Sequence, residues 1–418
     1  MKILFIASLY DPYIAGGAEK TIQEQAQALK KSNKRVSVLT LGPHPGIIRE
    51  EKGDINVWRI GHKNIYFHYN KIRPAAWQRK LWHILDIYNP FIKPEIEQVL
   101  KMERPDVISM HNMAGISVSA WDVAKKYNIP VVQVLHDQYL LCPKSSMMKD
   151  SGICGNQCLS CRLMRLPHSI KSNNETGVVG VSQFILDKLL SHGYFKDTPV
   201  KAVIRNTRKF GLDLSALRPR KADGNIVFGF IGTLSAHKGI ELLLKSFLKH
   251  SRPNWKLLVA GFGNTDYEKG LKQQFANSRI EFLGYCKPED FFVQIDVTVI
   301  PSIWEETLGN VVFESFTFGV PVVGSKRGGI PEMIEPGVNG LLFNPSEPGE
   351  LLSAMKNIAD NLGYYRSKHS EIISGSERFR DQDEWMEKWM DVYHRAIDIS
   401  RSPAINWDAV SLNTSNQR

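Results

Sequence analysis

The sequence predicts an α/β protein built from two doubly wound parallel sheets. Three observations carry that expectation. The chain has 418 residues, which at roughly 100–200 residues per domain points to two domains. Short apolar runs alternate with stretches of helical period, the pattern of a parallel sheet covered on both faces. The alternation breaks at a polar segment and then restarts.

In the first half, Ile3–Ser8 reads as a buried strand. After Gly16-Gly17 the period changes, and Ile22, Ala26 and Leu29 fall at i, i+4, i+7 on one helix face. Val36–Leu41, Val107–Met110, Val131–Leu135 and Gly177–Val181 read as further strands, with helices over Ser119–Tyr127 and Phe184–Leu190. In the second half, strands are expected over Ile226–Ile231, Lys256–Ala260, Ile280–Leu283, Val297–Ile300, Val320–Val323 and Gly340–Phe343. Helices fit over Ile240–Phe247, Tyr267–Ala276 and Leu351–Asn361. The polar stretch Arg205–Asn225, with Pro219 and Gly224, separates the halves. Trp385, Trp389, Val392 and Ala396 recur at helical spacing in Gln382–Ile399, so an amphipathic helix is expected there. The expected domains are 1–206, 207–382, and a return helix with a polar tail over 383–418.

Composition narrows the class. The chain is 43% hydrophobic and 23% charged, ordinary for a globular protein and unlike disordered, collagenous or disulfide-scaffold chains. Lys and Arg number 53 against 43 Asp and Glu, a formal charge of +10, which favours anionic partners. No apolar run reaches about 18 residues, so no transmembrane helix is expected. The opening apolar run stops at Asp11, short for a secretory signal, and a cytoplasmic location is expected.

Open parallel sheets bind ligands at the carboxyl ends of their strands, so the strand-end loops hold the candidates. Gly16 and Gly17 open a helix and allow a phosphate or sugar close to the backbone; a plain tight turn is the alternative. Pro301-Ser302 ends a strand, Glu306 follows, and Glu314 comes eight residues later in a helix that begins after Gly309-Asn310. A carboxylate can accept two ribose hydroxyls, and the helix start suits a diphosphate; an acidic pair that only complements the helix dipole is the alternative. Lys238-Gly239, at a helix start after Gly232, can neutralise a phosphate. His111 and His136 each follow a strand, either as site residues or as hydrogen-bonded structural histidines.

Cys142, Cys154, Cys158 and Cys161 are spaced x11, x3, x2. Four thiolates suit a structural tetrahedral zinc; free thiols, disulfides or an iron–sulfur centre are the alternatives. Ile55–Leu85 contains no Asp or Glu. It carries Arg59, Lys63, Lys71, Arg73, Arg79 and Lys80 among Trp58, Tyr66, Phe67, Tyr69, Trp77 and Trp82. That mixture suits an anionic membrane surface or a solvated helical face. No nucleic-acid-binding module is recognisable, so no nucleic-acid partner is expected.

The run PSIWEETLGNVVFESFTFGVPVV resembles the EX7E region of retaining glycosyltransferases of family 4, which have the GT-B fold. GGAE (Gly16–Glu19), His136-Asp137, GTLSAHKG (Gly232–Gly239), AGFG (Ala260–Gly263), FLGY (Phe282–Tyr285) and GGIPEMIEPGVNGLLF (Gly328–Phe343) resemble that family's motifs and occur in its order. The resemblance implies a nucleotide-diphosphate-sugar donor and a glycan or lipid-linked acceptor, as in bacterial surface polysaccharide or lipopolysaccharide synthesis. It implies that Glu314 holds the donor ribose and that Glu306 and His136 act at the transferred sugar. It also places Gly16, Gly17, Gly232, Lys238, Gly309, Asn310 and Val311 at the sugar and diphosphate, and Tyr285 near the base. His111 and Asp137 fall on the acceptor side, and no catalytic metal is expected. Two departures stand out: Thr233 replaces the family's usual arginine, and Asn206-Thr207 replaces a frequent Asn-Gly. A nucleotide-sugar epimerase of the same fold, or a non-catalytic sugar- or lipid-binding protein, is the rival reading.

Overall fold

A computed structural model describes residues 1–69, 74–149, 152–250 and 252–400. Lys71, Arg73 and the tail 401–418 lie outside the described residues. The chain forms two compact units, Met1–Arg205 with the chain from Gln382 onward, and Asn206–Asp381.

The first unit holds strands β1 (Lys2–Ala7), β2 (Arg35–Gly42), β3 (Ile47–Lys52), β4 (Ile55–Gly61), β5 (Val107–Met110) and β6 (Val131–Leu135). A hairpin of β7 (Met148–Lys149) and β8 (Gly152–Ile153) follows, then β9 (Gly177–Gly180) and β10 (Val200–Val203). The main sheet runs β10-β9-β6-β5-β1-β2-β4-β3, parallel except where β3 meets β4. Every residue of β5 and β6 is buried, as expected for a sheet covered on both faces. The helix Gln382–Ser400 packs against β5, β6, β10 and the helix Gly17–Lys31, burying Trp385, Trp389, Val392, Tyr393 and Ala396.

The second unit holds β11 (Ile226–Ile231), β12 (Trp255–Ala260), β13 (Ile280–Gly284), β14 (Val297–Ile300), β15 (Val322–Ser325) and β16 (Gly340–Phe343). They form a parallel sheet in the order β13-β12-β11-β14-β15-β16. Phe228, Trp255, Leu257, Phe247, Val299 and Met355 build its core. Each such side chain contributes about 1.5–3 kcal/mol on burial.

The strand orders decide where ligands can go. In the first unit the winding reverses between β1 and β5; in the second it reverses between β11 and β14. Loops leaving neighbouring strands diverge at such switch points and leave a crevice.

The structure corrects the reading of Ile55–Leu85 as one basic face. Its first seven residues are β4, hydrogen-bonded between β2 and β3. Trp58 is buried, its indole N–H donating to Glu103 Oε1 at 2.5 Å. Arg59 is buried and paired with Glu50 at 3.0 Å. Lys63 pairs with Glu95, and Trp82 is buried. The charge pattern was real, but β4 is buried on both faces, so the consecutive residues Trp58 and Arg59, which point to opposite sides, are both withdrawn from any membrane surface.

Candidate active site

At the switch point of the second unit, the loops after β11 and β14 meet. Lys238 Nζ lies 2.6 Å from Glu306 Oε1, and Ser302 Oγ donates to the same oxygen at 2.7 Å. Burial alone would push the Glu306 carboxyl up, but the Lys238 ammonium and these hydrogen bonds outweigh it and hold the group below the usual carboxylate range. Lys238 also lies over the Trp304 ring, 5.2 Å from its centroid.

Two glycines make this approach possible. Gly239 has φ +73°, and a Cβ there would stand 1.8 Å from Pro301 O. Gly328 has φ +60°, and a Cβ there would stand 1.9 Å from Glu306 O, an oxygen that accepts from the Gly329 N–H at 2.8 Å. Only glycine tolerates that backbone at that distance.

Gly309 and Asn310 precede the helix Val311–Thr317, and Glu314 sits one turn inside it. Glu314 is buried and hydrogen-bonded to Arg208. Asn206 Nδ2 donates to Asn310 Oδ1 at 3.0 Å, and Thr207 Oγ1 donates to Phe379 O at 2.7 Å. Thr207, the residue that departs from the usual glycine, thus ties its segment to Phe379, while Asn206 reaches the helix start. Tyr285, 62% exposed, stacks on Phe262, 58% exposed, with ring centroids 5.7 Å apart. The pair joins the same loop cluster, since the Leu234 N–H donates to Phe262 O and the Gly261 N–H to Gly284 O. Gly232, at the end of β11, has φ +154°.

At the switch point of the first unit, the loops after β1 and β5 are tied together. The Ser8 N–H donates to Asn112 O at 2.9 Å. Glu19 accepts from the Gly16 N–H at 2.8 Å and from Asn112 Nδ2 at 3.3 Å. Gly16 has extended backbone, and a Cβ there would meet only Glu19 Oε2 at 3.8 Å; nothing in the local fold demands glycine. His111 is fully buried, and its Nδ1 lies 2.9 Å from His136 Nε2. Gln133 Nε2 donates to His111 O at 3.0 Å, which satisfies a polar side chain inside β6. A small cavity is lined by His111, Asn112, His136, Asp137 and Tyr139. Burial holds the His136 imidazole down to about 4 and pushes the Asp137 carboxyl up to about 6.

Two profiles match this chain: Glycosyltransferase Family 4 over residues 15–203, and Glycosyl transferases group 1 over residues 225–361. An uncharacterized 42.6 kDa protein in the cps region of Klebsiella pneumoniae is 32% identical over 338 residues, 80% of this chain and 87% of that one. The chain belongs to the group 1 and family 4 glycosyltransferases.

Solved structures share its GT-B fold. Anabaena HepE, in complex with UDP and glucose, matches with a TM-score of 0.68 and 19% identity, covering 94% of this chain and 98% of that one. The lipopolysaccharide outer core galactosyltransferase WaaB matches with a TM-score of 0.64 and 17% identity, covering 94% and 99%.

In this glycosyltransferase the Cys142 and Cys158 thiols hydrogen-bond the Cys161 thiol, and burial together with these neighbours pushes it up to about 12. Cys142 is buried, Cys154, Cys158 and Cys161 are part-exposed, and none is in a disulfide. Among the described residues no three His, Cys, Asp or Glu side chains are placed to share a metal ion. Cys154 is tied through its N–H to Met147 O, beside the β7–β8 hairpin, while Cys158 precedes the helix Leu159–Met164. Hydrogen bonds from Ser160 and Cys161 hold the Cys158 thiol down to about 6.

Sequence reasoning missed several residues. Ser302 was legible, four residues before Glu306 in the same loop. Arg208 was not, because its pairing with Glu314 spans 106 positions. Phe262 lies inside the run AGFG (Ala260–Gly263), between two glycines, and the run itself gives no sign that its ring pairs with Tyr285.

Proposed function

We propose that this glycosyltransferase moves a sugar from a nucleoside-diphosphate sugar to a hydroxyl, with retention of anomeric configuration. The acceptor we favour is a lipid-linked glycan in bacterial surface polysaccharide or lipopolysaccharide assembly. The observation that carries the donor half is the Lys238–Glu306 pair at the switch point, within one loop of Glu314. A carboxylate held by Arg208 suits two ribose hydroxyls, and the exposed Phe262–Tyr285 stack offers a face to a base. Lys238 and the first N–H groups of the helix Val311–Thr317 would stabilise charge on the departing diphosphate, usually the largest catalytic contribution in such reactions. With Thr233 at the usual arginine position, Lys238 carries more of that charge. Retention would proceed by front-face attack assisted by the departing phosphate. The UDP held by HepE, the galactosyl transfer of WaaB and the cps-region relative support this reading.

The test is incubation with a panel of nucleotide sugars and lipid-linked acceptors, read by mass spectrometry and by the anomeric configuration of the product. Transfer with retention is expected. Donors that bind but are neither transferred nor hydrolysed would establish a non-catalytic binding protein, and donors converted to their epimers would establish the epimerase.

The acceptor half includes a membrane surface, relocated from the sequence expectation. No helix among the described residues is long and apolar enough to cross a membrane. The helix Ala76–Ile87 exposes Trp77, Leu81 and Ile84, and the short helices Leu159–Met164 and Leu166–Ser172 expose Leu159, Leu163, Leu166 and Ile170. The inward sides of these helices meet: His168 Nε2 lies 3.1 Å from Ile87 O, and Arg165 lies over Tyr139, which bonds Asp86. Arg162 and Lys80 stand among the outward residues, and residues 62–85 and 151–174 contain no Asp or Glu. Apolar stripes edged by cations suit the inner face of an anionic bilayer. Vesicles of phosphatidylglycerol and phosphatidylethanolamine should sediment the full chain, and Trp77→Ser with Leu163→Ser should abolish it; equal binding to purely zwitterionic vesicles would overturn this assignment.

A further inference from the structure

Behind His136 the first unit buries a continuous file of polar side chains. Gln25 Nε2 donates to the Tyr393 hydroxyl at 3.0 Å. The Tyr393 hydroxyl donates to Ser109 Oγ at 2.9 Å. Ser109 Oγ lies 3.2 Å from His111 Nε2, and His111 Nδ1 lies 2.9 Å from His136 Nε2. Gln25, Ser109 and Tyr393 are wholly inaccessible to solvent and His111 nearly so, so each proton must be placed within the file.

A hydroxyl has one proton to give, and a neutral imidazole has one N–H and one acceptor nitrogen. The Tyr393 proton is committed to Ser109, so the Tyr393 oxygen accepts from Gln25. Buried Ser109 accepts from Tyr393 and has one proton of its own to place, for which His111 Nε2 at 3.2 Å is the acceptor in the file. That nitrogen then bears no hydrogen, and His111 carries its proton on Nδ1, pointed at His136 Nε2. The acceptor nitrogen of His136 is thereby occupied, and its hydrogen is on Nδ1. Both rings are neutral near pH 7: burial holds His111 well below the usual histidine range and His136 down to about 4.

We infer that the file Gln25–Tyr393–Ser109–His111 locks His136 in its Nδ1–H tautomer, so that His136 serves transfer as a hydrogen-bond donor and not as a proton acceptor. Tyr393, Ser109 and His111 are then positioning residues, the choice of tautomer being set by the bond at the opposite ring nitrogen. The inference rests on the proposed place of His136 at the transferred sugar. It gives the last helix a task beyond packing, because Tyr393 sets the hydrogen-bond polarity three residues away along the file.

The experiment is long-range proton–nitrogen NMR on the full chain labelled with nitrogen-15 histidine, the His136 signals being assigned by loss in His136→Gln. His111 and His136 should both show a protonated Nδ1 and a bare Nε2. Tyr393→Phe keeps the ring but removes the donor that orients the Ser109 hydroxyl toward His111, so both histidines should become tautomer mixtures. Transfer kcat should then fall about tenfold, the order of one lost hydrogen bond, with donor KM unchanged. Ser109→Ala should behave like Tyr393→Phe, and Ser109→Thr, which restores the hydroxyl, like wild type. A protonated Nε2 on His136 in wild type, or ring signals unmoved by both Tyr393→Phe and Ser109→Ala, would overturn the inference. A tautomer shift with undiminished transfer would overturn the donor role. The NMR result decides the file even if no donor is turned over, so failure of the proposed function would be recognised separately.

Discussion

Lys238 and Glu306, 68 residues apart in the chain, form a 2.6 Å ion pair at the point where the second sheet reverses its winding. The pair keeps a carboxylate ionised where a phosphate is proposed to bind. A cation bonded to a buried anion is also held in place before any ligand arrives, which lowers the ordering cost of binding.

Glu306→Gln should lower kcat/KM by about a hundredfold, the order lost when one preorganised charge is removed from a reaction centre. Lys238→Met should cost about 2 kcal/mol of stability, less than for a fully buried pair because a quarter of the lysine side chain is exposed. The double variant should regain that stability and remain inactive. Thermal unfolding and single-turnover assays check this; a double variant that recovers activity would make the pair structural only.

Arg208→Ala should weaken donor binding about tenfold, the scale of one charge-assisted hydrogen bond, by releasing Glu314 from its fixed orientation. Calorimetric titration with the nucleoside diphosphate reads this without turnover. Unchanged affinity would remove Glu314 from the ribose site.

Asp137→Asn should raise the melting temperature more at pH 7.5 than at pH 4.5. Burial raises the folded-state pKa to about 6, above the unfolded value of 3.8, so the folded state holds the proton more tightly. The wild-type carboxyl therefore loses stability as pH rises from about 4 through 6, and asparagine removes that dependence while its carbonyl still accepts from the Tyr139 N–H. A melting difference that is flat with pH would contradict the burial of this group.

Cys158 should alkylate faster than the other four cysteines at pH 7, since its thiol titrates near 6 and lies at the surface. Peptide mapping after brief iodoacetamide treatment measures the order. Protection of Cys142, Cys154, Cys158 and Cys161 together, with stoichiometric zinc by metal analysis, would instead restore the zinc centre that their spacing suggested.

Both sheets were legible in the sequence because strands buried on two faces are written as largely apolar runs such as Ile3–Ala7. Glu306, Lys238 and Gly239 were legible because a strand end, a glycine and a charge lie within a few residues of one another. Residue 55 onward misled, because β4 carries Trp58 and Arg59 inward to Glu103 and Glu50, partners 45 and 9 positions away. The outward stripe Leu159–Leu163–Leu166–Ile170 escaped notice because the cysteines around it drew attention to metal chemistry, and burial, not spacing, reveals which side of a short helix faces water. The hydrogen bonds of Arg208 and Tyr393 depend on tertiary approach and leave no local signature.

The return of Gln382–Ser400 to the first unit has a consequence during synthesis. Gln25 finds its hydrogen-bond partner Tyr393 only 368 residues later, after the whole of the second unit has left the ribosome. The second unit, continuous from Asn206 to Asp381, can reach its native state while the amino-terminal sheet still lacks its covering helix. Closure of long sequence separations is slow, so the nascent first unit leaves the sheet face over β5, β6 and β10 uncovered throughout that interval, and ribosome-bound chains stalled before residue 382 are the species on which a chaperone would act.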